Sequence, residues 1–201
     1  MVPRHRFRKF AVVSDRRRYE QLVVQRGETS VWYRRPAAGF DVTDPEVFAL
    51  EQFTVDGDEV PFERQVDKVS QIYVVDLGEE IVRQGEPVVV SFRFRTRTRR
   101  DGHVVHLDID RPTKGLEVEF HYSDADVAEV RMLDFASIGE GGRADRDQET
   151  KTLRYRYDGW LFPRAGLVFS WTLPKTLAAA ATSSRSARQM QHERTRPSKA
   201  A

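Results

Sequence analysis

The sequence predicts an all-β protein: an antiparallel β-sandwich of about ten strands with flexible basic ends. Three observations carry this. From residue 10 to 173 apolar residues recur almost everywhere with period two. The segments are short, rich in Val, Phe and Tyr, and separated by clusters of Gly, Pro, Asp and Ser. Two Asp-Gly pairs, Asp56-Gly57 and Asp101-Gly102, stand between apolar runs, where two-residue hairpin turns need positive φ.

In chain order the expected strands are YEQLVVQ (19–25), SVWYRR (30–35), VFALEQFTV (47–55), SQIYVVDL (70–77), PVVVSFRFRTR (87–97), HVVHLDID (103–110), LEVEFHY (116–122), VAEVRMLDF (127–135), TLRYRY (152–157) and GLVFSWTL (166–173). Alternation gives most of them one polar face, as antiparallel sheets allow. It is lost at Val88–Val90, which reads as a centrally buried strand. IGEGGRADRDQET (138–150) is almost devoid of apolar residues and reads as the longest loop of the body. Residues 1–9 read as a flexible basic N-terminus, 10–174 as the body, and 175–201 as a disordered basic tail with a short helix around Leu177–Ala181. Tyr73, Asp76, Gly85, Ser91 and Phe92 are loosely echoed by Tyr155, Asp158, Gly166, Ser170 and Trp171. If the echo is a duplication, the body is two related β-units meeting near 100–112.

SFRFRTRTRR (91–100) places an arginine at every second position. A two-residue turn at Asp101-Gly102 would pair Phe94 with Ile109, Arg95 with Asp108 and Arg93 with Asp110, giving an apolar face and an ion-paired face in one register. Arg97, Arg99 and Arg100, beside His103 and His106, would remain as a cationic tip able to grip one phosphate or carboxylate.

Composition narrows the chemistry. Cysteine is absent, which removes disulfides, thiolate nucleophiles and Cys-based zinc sites together. No apolar run approaches the length of a membrane span, and the N-terminal apolar stretch is too short for a signal peptide, so a cytoplasmic location is expected. Residues 1–18 carry a net +6 and 175–201 a net +5, whereas 19–174 hold 20 basic and 29 acidic residues, a net of −9. A nucleic-acid-binding domain concentrates positive charge on its folded face; here nucleic acid or an anionic surface could be met only by the basic ends. Arginine outnumbers lysine 27 to 6, which coding bias accounts for without a functional demand.

Phosphate loops, dinucleotide fingerprints, kinase signatures and Gly-x-Ser-x-Gly elbows are missing from the sequence. His106 and Asp108 share one strand face, and His121 is the further histidine a metal site would need, but Asp108 is already engaged in the expected hairpin. No metal and no cofactor is expected. Trp160 and Phe162, in the DGWLFPRAG turn, need not be core; they suit a partner contact, or they plug the end of the sandwich. Trp32-Tyr33 before Arg34-Arg35 raises the same question.

These features lead to an expected function as a non-enzymatic binding module acting with a separately encoded protein partner. The competing reading is a β-barrel enclosing a small or lipid-like ligand, with or without catalysis. Nucleic-acid or anionic-surface binding through the tails is third.

Overall fold

β1 (Phe7–Val13) is followed by α1 (Arg16–Val23), β2 (Thr29–Tyr33), β3 (Phe48–Val55), β4 (Asp58–Glu59), β5 (Phe62–Val66), β6 (Ser70–Asp76) and β7 (Val90–Thr96). Together these form the first of two compact units, which divide between Arg99 and Arg100. The computed structural model describes residues 6–24, 28–37, 39–79, 81, 87–98, 104–123, 127–135 and 141–174. The chain is all-β, with the eight-residue helix α1 between β1 and β2.

One sheet of the first unit has the order β2-β1-β6-β5 and another β4-β3-β7. Alternation sends Phe10, Val12, Tyr73 and Val75 from the first sheet, and Phe48, Leu50, Phe53 and Val55 from the second, into one core. Burial of each such side chain contributes roughly 1.5–3 kcal/mol. Trp32 packs against this core, stacked on Phe10 with ring centroids 6.4 Å apart. The opposite face of the four-stranded sheet, with Ala11, Val13 and Ile72, is covered by Leu22 and Tyr19 of α1.

Four expectations change in this unit. YEQLVVQ is not a strand, because α1 runs through most of it; β1 and β2 are parallel neighbours, and parallel neighbours need a crossover. Asp15 caps the helix by accepting from the Arg18 N–H at 2.8 Å, and Arg16 bonds Glu20 one turn on at 2.9 Å. β1 begins at Phe7, inside the segment set aside as the N-terminus. Val88–Val90 is not buried: β7 closes one end of its sheet and Val89 is 68% exposed. Finally, the expected pairing of the 91–100 strand with 103–110 is not found among the described residues, and the Asp101-Gly102 turn itself lies outside them. β7 pairs with β3, and Arg95 bonds Glu46 and Glu51, both at 3.1 Å, rather than Asp108. The other hairpin holds: Asp56 and Gly57, with φ of 52° and 93°, turn β3 into β4.

The second unit contains β8 (Val104–Asp108), β9 (Thr113–His121), β10 (Glu129–Asp134), β11 (Arg143–Asp147), β12 (Thr152–Leu161) and β13 (Gly166–Thr172). The sheets are β10-β13-β8 and β11-β12-β9. Val130, Leu167, Phe169 and Trp171 from one meet Leu153 and Tyr155 from the other. Phe120 stacks on Phe169 across the core, with centroids 4.5 Å apart. The stretch 138–150 is not a single loop, since β11 occupies 143–147 and pairs with β12. The echoed residues hold different places: Phe92 lies on an end strand and is 37% exposed, whereas Trp171 lies on the middle strand and is 8% exposed. Gly85 and the tail 175–201 lie outside the described residues. Among the described residues no helix is long and apolar enough to cross a membrane.

Candidate functional site

The most distinctive surface of the second unit is built on the last third of β12. In its pairing with β9, Tyr157 faces Leu116 and Trp160 faces Lys114, so Asp158 and Gly159 stand where β9 has Gly115 alone. Such a bulge re-aims the end of a strand, and Gly115, at φ 76°, supplies the conformation its partner needs. Beyond the bulge Leu161 turns fully inward and fills the end of the unit with Ile109. Its neighbours are therefore sent outward. Trp160 and Phe162 are 56% and 55% exposed and stack on each other, with centroids 6.5 Å apart and planes 22° apart. They stand outside the buried cluster that Leu161 and Ile109 form. The connecting turn is also shorter than expected, only Phe162 to Ala165, closed by the Ala165 N–H on the Phe162 carbonyl at 2.9 Å.

Beside this strand segment lies an open cleft of about 430 Å³, lined by Gly141–Arg143 and Arg156–Gly159. A Cβ on Gly142 would clash with the Tyr155 ring and hydroxyl, and one on Gly159 would meet the Tyr157 hydroxyl. The ring that Gly142 accommodates is pinned by its hydroxyl, which donates to Asp134 at 2.5 Å. Burial, then this hydrogen bond to a carboxylate, pushes the Tyr155 hydroxyl well above the usual tyrosine range. Arg143 stands opposite Arg156 in the β11–β12 ladder. Arg156 bonds Asp158 at 3.1 Å.

The other sequence candidates are dispersed. Arg97 is exposed just past β7 in the first unit, its N–H on the Val47 carbonyl. His106 lies on β8 in the second unit, opposite Val168 of β13. Arg99, Arg100 and His103 lie outside the described residues. Of the weak metal candidates, His106 and Asp108 share β8, while His121 is on β9 in the other sheet. Among the described residues no three His, Asp or Glu side chains gather closely enough to hold a metal ion.

One arrangement resembles catalytic machinery without its chemistry. His121 Nδ1 lies 3.0 Å from Thr152 Oγ1, and its Nε2 lies 3.2 Å from Glu119. Thr152 is only 1% exposed, so no substrate could reach its hydroxyl. Glu119 is itself held below the usual carboxylate range, chiefly by Arg154 at 2.8 Å and further by His121. This is a hydrogen-bonded lattice on the outer face of a sheet.

Comparison with known proteins gives no relative. No family model, no curated protein and no solved structure matches the chain.

Sequence reasoning reached Trp160 and Phe162 but not the cleft beside them. The signal for the cleft was present in Gly141, Gly142 and Gly159, but only the pairing of β11 with β12 brings them together.

Proposed function

We propose that this protein is a recognition module that engages a protein partner through the end of its second unit. The observation that carries the reading is the stacked, outward-facing Trp160–Phe162 pair. Two large rings that leave the core to Leu161 and stand more than half exposed have no packing role to account for them. Tryptophan and arginine are the residues most enriched at the energetic centres of protein interfaces, and both occur here. The neighbouring cleft is open and bordered by arginines, which favours this reading over an enclosed pocket for a lipid-like ligand.

The test is site-specific photocrosslinking in the source cells. A photoreactive phenylalanine analogue replaces Trp160 in the full chain, with the same analogue at exposed Glu63 as control. A discrete protein adduct at position 160 that is missing at position 63 supports the module. Identical adduct patterns at the two positions, or none at either, reject it.

A further inference from the structure

Arg164 occupies a backbone conformation that an arginine does not favour. In the Phe162–Ala165 turn, Pro163 and Arg164 are the two central residues, and Arg164 has φ 83°. That is the value a type II turn requires at its third residue, the position normally given to glycine. Residues held in this region cost free energy and concentrate where the side chain is needed. The turn itself gains nothing from the guanidinium: among the described residues Arg164 makes no side-chain hydrogen bond or ion pair, while its backbone N–H bonds the Ile109 carbonyl.

A second cation lies beside the rings on the neighbouring strand. Lys114 is directly opposite Trp160 in the β9–β12 ladder, which places both side chains on one face of the sheet. It is exposed and likewise without an ion pair among the described residues. The acidic residue closest along the strand, Asp158, is already bonded to Arg156. The tip thus carries two exposed rings and two exposed cations that form no ion pair among the described residues.

From this we infer that the tip takes an acidic peptide segment of the partner, the Trp160 and Phe162 rings receiving an apolar side chain and Lys114 and Arg164 a carboxylate. This deepens the recognition reading and rests on it. Charge complementarity selects the occupant. A nucleic-acid strand would also use rings and cations, but it needs a continuous positive groove, and the tip offers only the two cations Lys114 and Arg164. Two cations suit one or two carboxylates.

The experiment selects short random peptides displayed on phage against the immobilised full chain. Binding of the winners is then measured on wild-type protein and on W160A/F162A, R164Q, R164K and K114Q. The inference expects winners rich in Asp and Glu, bound about ten-fold more weakly by R164Q and by K114Q, with R164K retaining most of the affinity. R164Q keeps the strained backbone and removes only the charge, so its thermal midpoint should match wild type. Neutral or basic winners, or winners unaffected by R164Q and K114Q, overturn the acidic ligand. If those peptides still fail on W160A/F162A, the recognition reading survives alone. If no peptide distinguishes wild type from W160A/F162A, both fall. A labelled oligouridine bound more tightly than the peptides, and lost on W160A, would replace the peptide with single-stranded nucleic acid and equally overturn the inference.

Discussion

The side-chain amide of Gln71 donates to the carbonyl of Phe48 at 3.0 Å, inside the core of the first unit. The same Nε2 donates to the Val42 carbonyl at 2.7 Å, while Oε1 accepts from Arg64 at 2.9 Å and from the Tyr73 hydroxyl at 3.2 Å. A fully buried amide is favourable only when satisfied, and this one also fastens β6 to the segment that leads into β3.

Replacing Gln71 by leucine takes the amide donor from the Val42 carbonyl, removes the Arg64 contact and leaves the Phe48 carbonyl to the Tyr73 hydroxyl at 3.3 Å. Unfolding free energy should fall by about 2–4 kcal/mol, and the thermal midpoint by about 10 °C or more. Chemical denaturation of wild type and Q71L measures it, and a loss below about 0.5 kcal/mol would remove the network from the account of stability.

Asp76 makes the acid limit of the first unit visible. Its carboxyl is held down to about 2, first by the side-chain hydrogen bond from Arg6, then by the Gly78 N–H. The folded carboxyl therefore titrates below the unfolded one. Its stabilisation is complete above the ordinary carboxylate range and is lost as pH falls toward 2. D76N should flatten the dependence of the denaturation midpoint on pH across that interval, relative to wild type.

Tyr155 should set an alkaline limit in the second unit. Because its folded hydroxyl titrates above the unfolded one, its contribution is present below the ordinary tyrosine range and declines as pH rises through it. Y155F removes the Asp134 bond, at about 1–3 kcal/mol near neutral pH, and with it part of the alkaline decline. An unchanged alkaline slope in Y155F would place the cause elsewhere.

Gly142 is the sharper test of the cleft. Its absent Cβ leaves room for the Tyr155 ring, which is 1% exposed and has nowhere to retreat. G142A should cost about 1–3 kcal/mol by overpacking. Wild-type stability for G142A would mean that the segment beside β11 is free to move away from the ring.

Arg164 and the two rings should behave in the opposite way. R164G relieves the positive φ and should raise stability by up to about 1 kcal/mol. W160A/F162A should leave it within about 0.5 kcal/mol, as exposed side chains do. A marked loss in W160A/F162A would show that the rings serve packing after all.

Much of the strand content could be read from local pattern because a strand repeats every two residues wherever it is placed. The same period sorted Phe92 and Phe94 from Arg93 and Arg95 correctly, yet it named the wrong acidic partners. Glu46 and Glu51 reach Arg95 because β7 lies against β3, and no property of residues 91–110 encodes that neighbour. α1 escaped notice for a related reason. Its buried contacts are mainly Leu22 and Tyr19, and what makes those residues a helix is the parallel placement of β2 beside β1.

By itself, then, the sequence determined the all-β character, the Asp56-Gly57 turn and the acidic body between basic ends, all of which depend on near neighbours or on composition. Only the tertiary structure decided which strands pair, that Leu161 rather than Trp160 is buried in the second unit, and that Lys114 lies beside the exposed rings. Those outcomes turn on a one-residue bulge at Asp158–Gly159 and on contacts between segments far apart in the chain. Pairing energy depends on both partners at once, and a local pattern describes only one of them.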